Sequence, residues 1–400
     1  MEAASISSLP GWQADALDGA IAAFTSFSVH QLGESWAKHP RFAAAGQDTI
    51  FQTAQSLHEK AARLAIDDPQ AVRQFFDENF RLSSLDNSVG DGPTSGLVTG
   101  YFDPALDARW QPSETFKIPL YQRPADLINL VGEDERASGP QNLTHARQTA
   151  NAPELIGPEP YATRAEIEAG ALQGNGLELA YLSDAVDAFF LHVQGSGKLL
   201  FPNGQTARVT YDGKNGHPYT SIGAELIRQG DIAADDMTLE ILGSWLRAHP
   251  DQAHELMQRN RSFVFFKLLD PDATDTAHGV LDTPLHPFRS LAVDTQFHPL
   301  GLPVYVSAPR LADAARLGPS NVDTDDGPPG TPGKLKPTGF HRLMFAHDVG
   351  SAIKGRHRGD IYFGSGRAAG QRAGATKHQA TLTLLLPVGL DGAGISEAVG

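Results

Sequence analysis

Phe340-His341-Arg342-Leu343-Met344-Phe345-Ala346-His347-Asp348-Val349-Gly350-Ser351-Ala352-Ile353-Lys354-Gly355, followed by Gly359-Asp360-Ile361-Tyr362-Phe363-Gly364, reads as two strands that each touch an aspartate. The apolar run Phe340 to Ala346 predicts a strand that ends beside Asp348, and Asp360 to Phe363 predicts a second. The two carboxylates lie 12 positions apart, with glycines near both. Small residues after Asp348, Gly350 and Ser351 first among them, let a bulky ligand approach the carboxylate and keep its pocket narrow. A third carboxylate, Asp294, ends another predicted strand, Arg289 to Val293. Strand-terminal aspartates suit a metal site, a hydrogen-bonded network or an acid/base group. No histidine falls at a metal-like spacing on the same face, which argues against a metal, and no cofactor is expected.

Between Lys354 and His378 there are six Lys or Arg, at 354, 356, 358, 367, 372 and 377, against one acid, Asp360. This local excess opposes the formal net charge of −15 for the whole chain and suits an anionic substrate. Spacing alone leaves open, and slightly favours, a plainer reading in which Asp348 caps a turn and the basic run is a solvated face. The overall negative charge argues against a nucleic-acid partner. There is no cysteine, which excludes disulfides, thiolate metal sites and a thiol nucleophile. No stretch approaches the roughly 20 apolar residues that would span a bilayer. Met1-Glu2-Ala3-Ala4 shows no basic segment leading into an apolar run, so no export signal is visible there.

Working outward, 400 residues predict two domains rather than one, and 40 Gly with 27 Pro predict many turns and short strands. The first ~85 residues read as helical. Ile50, Ala54, Leu57, Ala61 and Leu64 share one helical face, and Asp68-Pro69 opens a helix that buries Val72, Phe75, Phe76 and Phe80. After a break at Asp86 to Pro93, strands are expected at Gly96 to Phe102 and Ile118 to Tyr121. Thr163-Arg164-Ala165-Glu166 is a capping box for a short helix ending near Gly170. Strands follow at Leu177 to Tyr181 and Ala188 to Val193, then helices at Ser221 to Arg228 and Met237 to Ala248. Ser262 to Phe266, Pro303 to Val306 and Ala380 to Leu386 complete the strands, with Asn321 to Pro337 an exposed loop. Gln194-Gly195-Ser196-Gly197 and Asp212 to Tyr219 read as polar turns with the amide, hydroxyl and aromatic groups that sugar recognition needs, although Asn215-Gly216 is also an ordinary hairpin pair. Arg358-Gly359-Asp360 is a common tripeptide and reads as chance.

Thr99-Gly100-Tyr101-Phe102, Thr163 to Ile167, Val193-Gln194-Gly195-Ser196-Gly197, Gly213-Lys214-Asn215-Gly216-His217 and Asp348 to Gly355 occur in one order. Together they closely resemble the membrane-bound lytic transglycosylase A family, over roughly Thr99 to Leu386. The resemblance implies a mainly β fold with a helical N-terminal region: a double-psi β-barrel plus a smaller inserted β-domain. The expected parts are 1–120 as head and first barrel strand, 121–260 as the insert, and 261–400 as the rest of the barrel. It implies a lyase acting on peptidoglycan glycan strands, with Asp348 the one catalytic acid/base and Asp360, Asp294 and Lys354 in support. A substrate groove lined by Thr99, Tyr101, Gln194, Ser196, Gly197, Lys214, Asn215, His217, Tyr219, Gly350 and Ser351 follows on the same grounds. Asp348 then protonates the bond between N-acetylmuramic acid and N-acetylglucosamine, and the muramic C6 hydroxyl attacks C1 to leave a 1,6-anhydro end. Acting as an acid at neutral pH requires a raised pKa at Asp348, against which Lys354 works. A periplasmic location follows, with association to the outer membrane or to wall-synthesis complexes. The sequence departs from the family at Ser351, where a second Gly is common, and in lacking a lipid-bearing Cys. Two rival readings stay open: an inverting hydrolase using Asp360 or Asp294 as base, and a wall-binding protein without catalysis.

Overall fold

The computed structural model describes residues 5–66, 68–83, 95–129, 145–147, 159–234, 236–270, 276–311, 339–350 and 352–390. The expected break at Asp86 to Pro93, the loop Asn321 to Pro337 and the candidate Ser351 lie outside these residues. In chain order come α1 (Ala20–Phe24), α2 (Val29–Lys38), α3 (Gln47–Ala62), α4 (Pro69–Asn79), β1 (Phe80–Leu82), β2 (Gly96–Asp103), β3 (Ala105–Arg109) and β4 (Ile118–Tyr121). Then follow β5 (Leu127–Asn129), β6 (His145–Arg147), α5 (Arg164–Glu166), β7 (Glu178–Leu182), α6 (Ala185–Gln194), β8 (Ser196–Leu200), β9 (Thr206–Lys214), α7 (Ile222–Gln229), α8 (Leu239–Ala248) and α9 (Pro250–Arg259). The last are β10 (Val264–Leu268), β11 (Ser290–Val293), β12 (Pro303–Ala308), β13 (Phe340–Val349), β14 (Gly359–Ser365), α10 (Arg367–Gly374) and β15 (Lys377–Pro387).

The chain forms two compact units. The first joins Met1–Gly100 to Gly279–Tyr362 and Thr376–Gly400; the second is Tyr101–His278 with Phe363–Ala375. The boundaries of these units fall at 100/101, 278/279, 362/363 and 375/376, beside the expected 120/121 and 260/261.

In the first unit the helices start where their caps dictate. Asp68 Oδ1 accepts from Gln70 N at 2.9 Å and Ala71 N at 3.2 Å, with Pro69 in the first turn. Ser28 and Gln31 form a reciprocal capping box that opens α2. Phe24 packs on Phe75, Phe76, Phe80 and Phe345 at centroid distances of 5.8 to 6.2 Å, so the helical head is sealed on β13 by an aromatic cluster. A buried ion pair adds a directional tie: both terminal guanidinium nitrogens of Arg289, Nη1 and Nη2, donate to Asp15, at 2.9 and 2.8 Å. Leu343 N donates to the same carboxylate at 2.8 Å.

The strands of this unit run β1-β15-β12-β13-β11-β14-β2, and β2 pairs back onto β15. Six strands thus form a closed barrel, with β1 hung outside on the end of β15. The length of β15 makes closure possible: Lys377 to Ala380 pair with β2, Thr381 to Leu384 with β12, and Leu385 to Pro387 with β1. Closure leaves no free edge for those strands.

The second unit holds a six-stranded sheet in the order β10-β9-β8-β3-β7-β4. It is not β alone, as expected of the insert. Helices α6 to α9 build a cluster of their own around Phe189, Leu226, Leu246 and Leu256. Ala188 to Val193, expected as a strand, lies inside α6. Asp184 caps this helix through Val186 N at 2.7 Å, and Gly195 in the left-handed region (φ 82°) ends it. The misreading has a physical cause: α6 buries Ala188 and Leu191 in the sheet core and Val186 and Phe189 in the helical cluster. Apolar on most sides, it lacks the periodicity that separates helix from strand. The supposed turn at Asp212 to Tyr219 likewise begins later, because Gly213 and Lys214 pair with Phe265 and Val264 as the end of β9. Helix α10 had no place among the expected elements.

Candidate active site

Strand β11 is the axis of the site, and all four of its residues are buried. It runs parallel to β13 on one side and antiparallel to β14 on the other. Leu291 pairs with Ala346, but the next residue, Ala292, pairs with Asp348, so His347 is an extra residue bulged out of the ladder. On its other side Ala292 pairs with Asp360. Paired residues on neighbouring strands share a face, so Asp348 and Asp360 form one row with Ala292 between them. Two strand spacings put their backbones about 10 Å apart. Asp294 lies just past the end of β11.

The three carboxylates are held differently. Asp294 is 2% exposed and serves the backbone, Oδ2 accepting from Gly355 N at 2.7 Å and Oδ1 from Gln296 N at 3.2 Å. Asp360 accepts the Thr99 hydroxyl at 2.7 Å, and Thr99 Oγ1 in turn accepts from Arg358 Nη2 at 2.9 Å. Part of the Asp360 surface stays open, yet protein surrounds the carboxyl closely enough that desolvation raises it to about 6, against the opposing pull of Thr99 and Arg358. Asp348 is half-buried, with Oδ1 accepting from the N–H of its own neighbour Val349 at 2.9 Å. Lys354 is exposed, and desolvation lowers its ammonium below the usual range although Asp294 opposes this. Gly350 turns the chain after Asp348, its carbonyl accepting from Ile353 N at 2.9 Å.

Two supports were not foreseen. His347 is fully buried between the rings of Phe27 and Phe345 (5.5 and 5.8 Å), and its Nδ1 meets Ser290 Oγ on β11 at 2.8 Å. Burial lowers this imidazole to about 3, so it is neutral at pH 7. Gly279 lies against the same spot: a Cβ there would be 2.5 Å from His347 O and 3.3 Å from Asp348 Cβ. Nothing local announces either, since each need arises from a distant strand. Arg358, read as part of a chance tripeptide, reaches the same Thr99 as Asp360.

The other candidates lie in the second unit, except Thr99 and Gly350. Tyr101 is 8% exposed on β2, and Gln194 Oε1 accepts from Phe102 N at 3.1 Å. Ser196 is buried and donates to Asp103 at 2.9 Å, a carboxylate also paired with Arg208. Gly197 allows close packing, because a Cβ would meet Leu191 Cδ1 at 2.5 Å. Lys214 is buried at the end of β9, and His217 is buried with Nε2 2.7 Å from Tyr161 O. Asn215 corrects the sugar-recognition expectation: it is fully buried, with Nδ2 donating to Ala162 O and Arg261 O and Oδ1 accepting from Phe263 N. Its amide is committed to the fold. Tyr219 is 36% exposed. Among the described residues, no group of three or more His, Asp or Glu is placed to hold a metal ion.

Residues 97–267 match the family model for the MltA specific insert domain, and residues 289–386 match the 3D domain. A membrane-bound lytic murein transglycosylase A of Vibrio cholerae is 31% identical over 348 residues, which is 86% of this chain and 78% of that protein. The crystal structure of a membrane-bound lytic murein transglycosylase from Agrobacterium tumefaciens is similar with a TM-score of 0.74 and 30% identity, covering 96% of this chain and 97% of that one. Escherichia coli MltA with bound chitohexaose is similar with a TM-score of 0.58 and 28% identity, covering 90% and 89%. By its two domain matches, by this identity over most of both lengths, and by aspartates gathered at one end of a closed barrel, the chain belongs to the membrane-bound lytic murein transglycosylase A family.

Proposed function

We propose that this lytic murein transglycosylase uses Asp348 as its one acid/base, and that Asp360 and Asp294 hold the site around it. The observation that carries the assignment is the shared register row. Asp294 is engaged through both oxygens by backbone donors and Asp360 is tied to Thr99. Asp348 sits half-open at a strand end, flanked by Gly350 and Gly279.

The enzyme is a lyase, and the chemistry needs no water. Asp348 as neutral acid gives its proton to the oxygen joining N-acetylmuramic acid to N-acetylglucosamine. The C1–O bond breaks, with positive charge developing at C1. The carboxylate then takes the proton of the C6 hydroxyl while O6 bonds to C1, closing the 1,6-anhydro ring and restoring the acid. Internal attack replaces a bimolecular step, so much of the entropic barrier is already met.

Several finer readings belong with this one. The six-stranded ring is assigned as a double-psi barrel, which its parallel β11–β13 pair within a closed sheet supports. Glycan strands are the ligand, supported by the chitohexaose bound to the E. coli relative. The remaining polar residues of the second unit, Tyr101, Gln194, Lys214, His217 and Tyr219 among them, are assigned to sugar recognition. The location is the periplasm, at the outer membrane. The relatives are named membrane-bound, while among the described residues no helix is long and apolar enough to cross a membrane.

The test is digestion of purified sacculi in heavy-oxygen water, with mass spectrometry of the released muropeptides. Unlabelled 1,6-anhydromuramic ends are expected. Labelled reducing ends would identify an inverting hydrolase, and wall binding with no released fragments a non-catalytic protein.

A further inference from the structure

We propose that Trp110 and Phe201 form a stacking platform for one pyranose ring of an N-acetylated glycan, at a site of its own in the second unit. Trp110 follows the last residue of β3, and Phe201 follows the last residue of β8, strands that pair in parallel. Their rings lie 4.0 Å apart at 11°, face against face. Aromatic pairs favour offset-stacked or edge-to-face arrangements, and this pair is of the stacked kind. The stacked arrangement covers one indole face, so the exposure that Trp110 keeps is that of the opposite face and the ring edge. Phe201 is 6% exposed and Trp110 43%, in keeping with one face covered and one open.

The platform is rigid on both sides. Beyond Trp110, Ser113 N donates to Phe116 O at 2.9 Å and Phe116 N to Ser113 Oγ at 3.0 Å, while Arg109 lies 4.1 Å over the Phe116 ring. Phe201 opens the β8–β9 turn, with its N–H on Gln205 O at 3.0 Å. That turn carries two exposed amides, Asn203 and Gln205, which hydrogen-bond each other and keep further donors and acceptors toward water.

A flat apolar face beside amides is what a sugar ring requires, since its C–H face stacks while its hydroxyl and acetamide groups need hydrogen bonds. A protein partner would need a wider apolar area, and the loop residues next to Trp110, Gln111 to Thr115, are all exposed and contain only one apolar residue, Pro112. The choice of an N-acetylated glycan rests on the function proposed above.

The experiment titrates the full chain carrying Asp348→Asn, which prevents turnover, with N-acetylchitohexaose by calorimetry and tryptophan fluorescence. Trp12 and Trp36 are fully buried and Trp245 is partly buried against His249, so the Trp110→Ala variant identifies which part of any quenching belongs to Trp110. Adding Trp110→Ala should weaken binding about tenfold and abolish the fluorescence change, the worth of one good aromatic stack. Trp110→Phe should keep most of the affinity. Unchanged affinity in a folded Trp110→Ala protein overturns the platform. Should that variant melt early, Gln205→Ala replaces it, with a several-fold loss expected and an unchanged affinity again decisive against. Release of anhydro ends by the unaltered chain is read separately, so a failed platform and a failed enzyme are told apart.

Discussion

Asp348 and Asp360 flank a single residue, Ala292, one paired to it across a parallel ladder and the other across an antiparallel one. A bulge at His347 is what brings Asp348 level with that row. Three strands from separate parts of the chain thus set two carboxylates on one barrel face, and the third closes the end of the middle strand.

Asp360 should leave a pH signature in stability. Its carboxyl is raised from 3.8 to about 6 in the folded protein, so the folded chain binds more protons than the unfolded chain between those values. Stability contributed by this group therefore falls as pH rises through that window and is level above it. Melting curves from pH 4 to 7.5 should show the unaltered protein losing ground to Asp360→Asn up to about pH 6.5, then running parallel. Parallel curves throughout would mean that the group is not desolvated.

The same substitution should slow turnover without ending it, since Asn still accepts the Thr99 hydroxyl. Asp348→Asn should instead lose at least the ~10⁴-fold that marks the upper end of acid/base assistance, because the proposed mechanism gives one group both parts. Binding to insoluble wall should persist. Rates of anhydro-muropeptide release, compared with pull-down on sacculi, decide between them; equal losses from the two variants would favour a two-carboxylate mechanism.

The buried Asp15–Arg289 pair predicts a large stability effect. Burial alone would raise the Asp15 carboxyl, but Arg289, the Leu343 N–H and Arg342 outweigh it and hold the group below 3.8. Its contribution is therefore present above the ordinary carboxylate range and lost as pH falls. Asp15→Asn removes the buried partner charge of Arg289, leaving it the exposed Asp18 carboxylate and the Asp18 and Leu343 carbonyls, and should cost ~3–5 kcal/mol, measured by urea unfolding at pH 7. A loss under ~1 kcal/mol, the scale of a surface pair, would show that water reaches Arg289.

What could be read beforehand was whatever the chain states locally. The Asp68-Pro69 start of α4, the capping box at Thr163 and the strands ending near Asp294 and Asp348 each carry their signal within a few residues. The parts that were missed depend on partners far along the chain. Asn215 looked like a turn or a sugar ligand because Ala162, Arg261 and Phe263, which consume its amide, are remote in sequence. Helix α6 hid its period by being buried on most sides. The row through Ala292 is a matter of register, and a one-residue bulge at His347 has no mark in composition.

That bulge yields the last prediction. Gly279 has a negative φ, −91°, with ψ −150°, and the space around it forbids a side chain. A methyl there would press 2.5 Å from the His347 carbonyl and 3.3 Å from Asp348 Cβ. The glycine cannot easily retreat, because its N–H is fixed to Thr283 O at 2.8 Å and Gln31 holds Leu281 O at 2.9 Å. Leu281 and Asp282 already sit at φ 58° and 57°, a strained pair that leaves little slack in the turn. The Leu285 side chain, 2.9 Å from that methyl, can turn aside, but the His347 carbonyl is backbone, so the clash is relieved on the side of β13, by moving the bulge and with it the proposed acid. Displacement of a reacting group by about 1 Å is worth on the order of 10²-fold in rate, whereas contacts along the rest of a glycan strand are untouched. Gly279→Ala should lower kcat by about that factor, with KM changed little, and the kcat loss should exceed anything its melting temperature explains. A variant with normal kcat, or one in which KM alone rises, would show that Gly279 does not hold Asp348 in place.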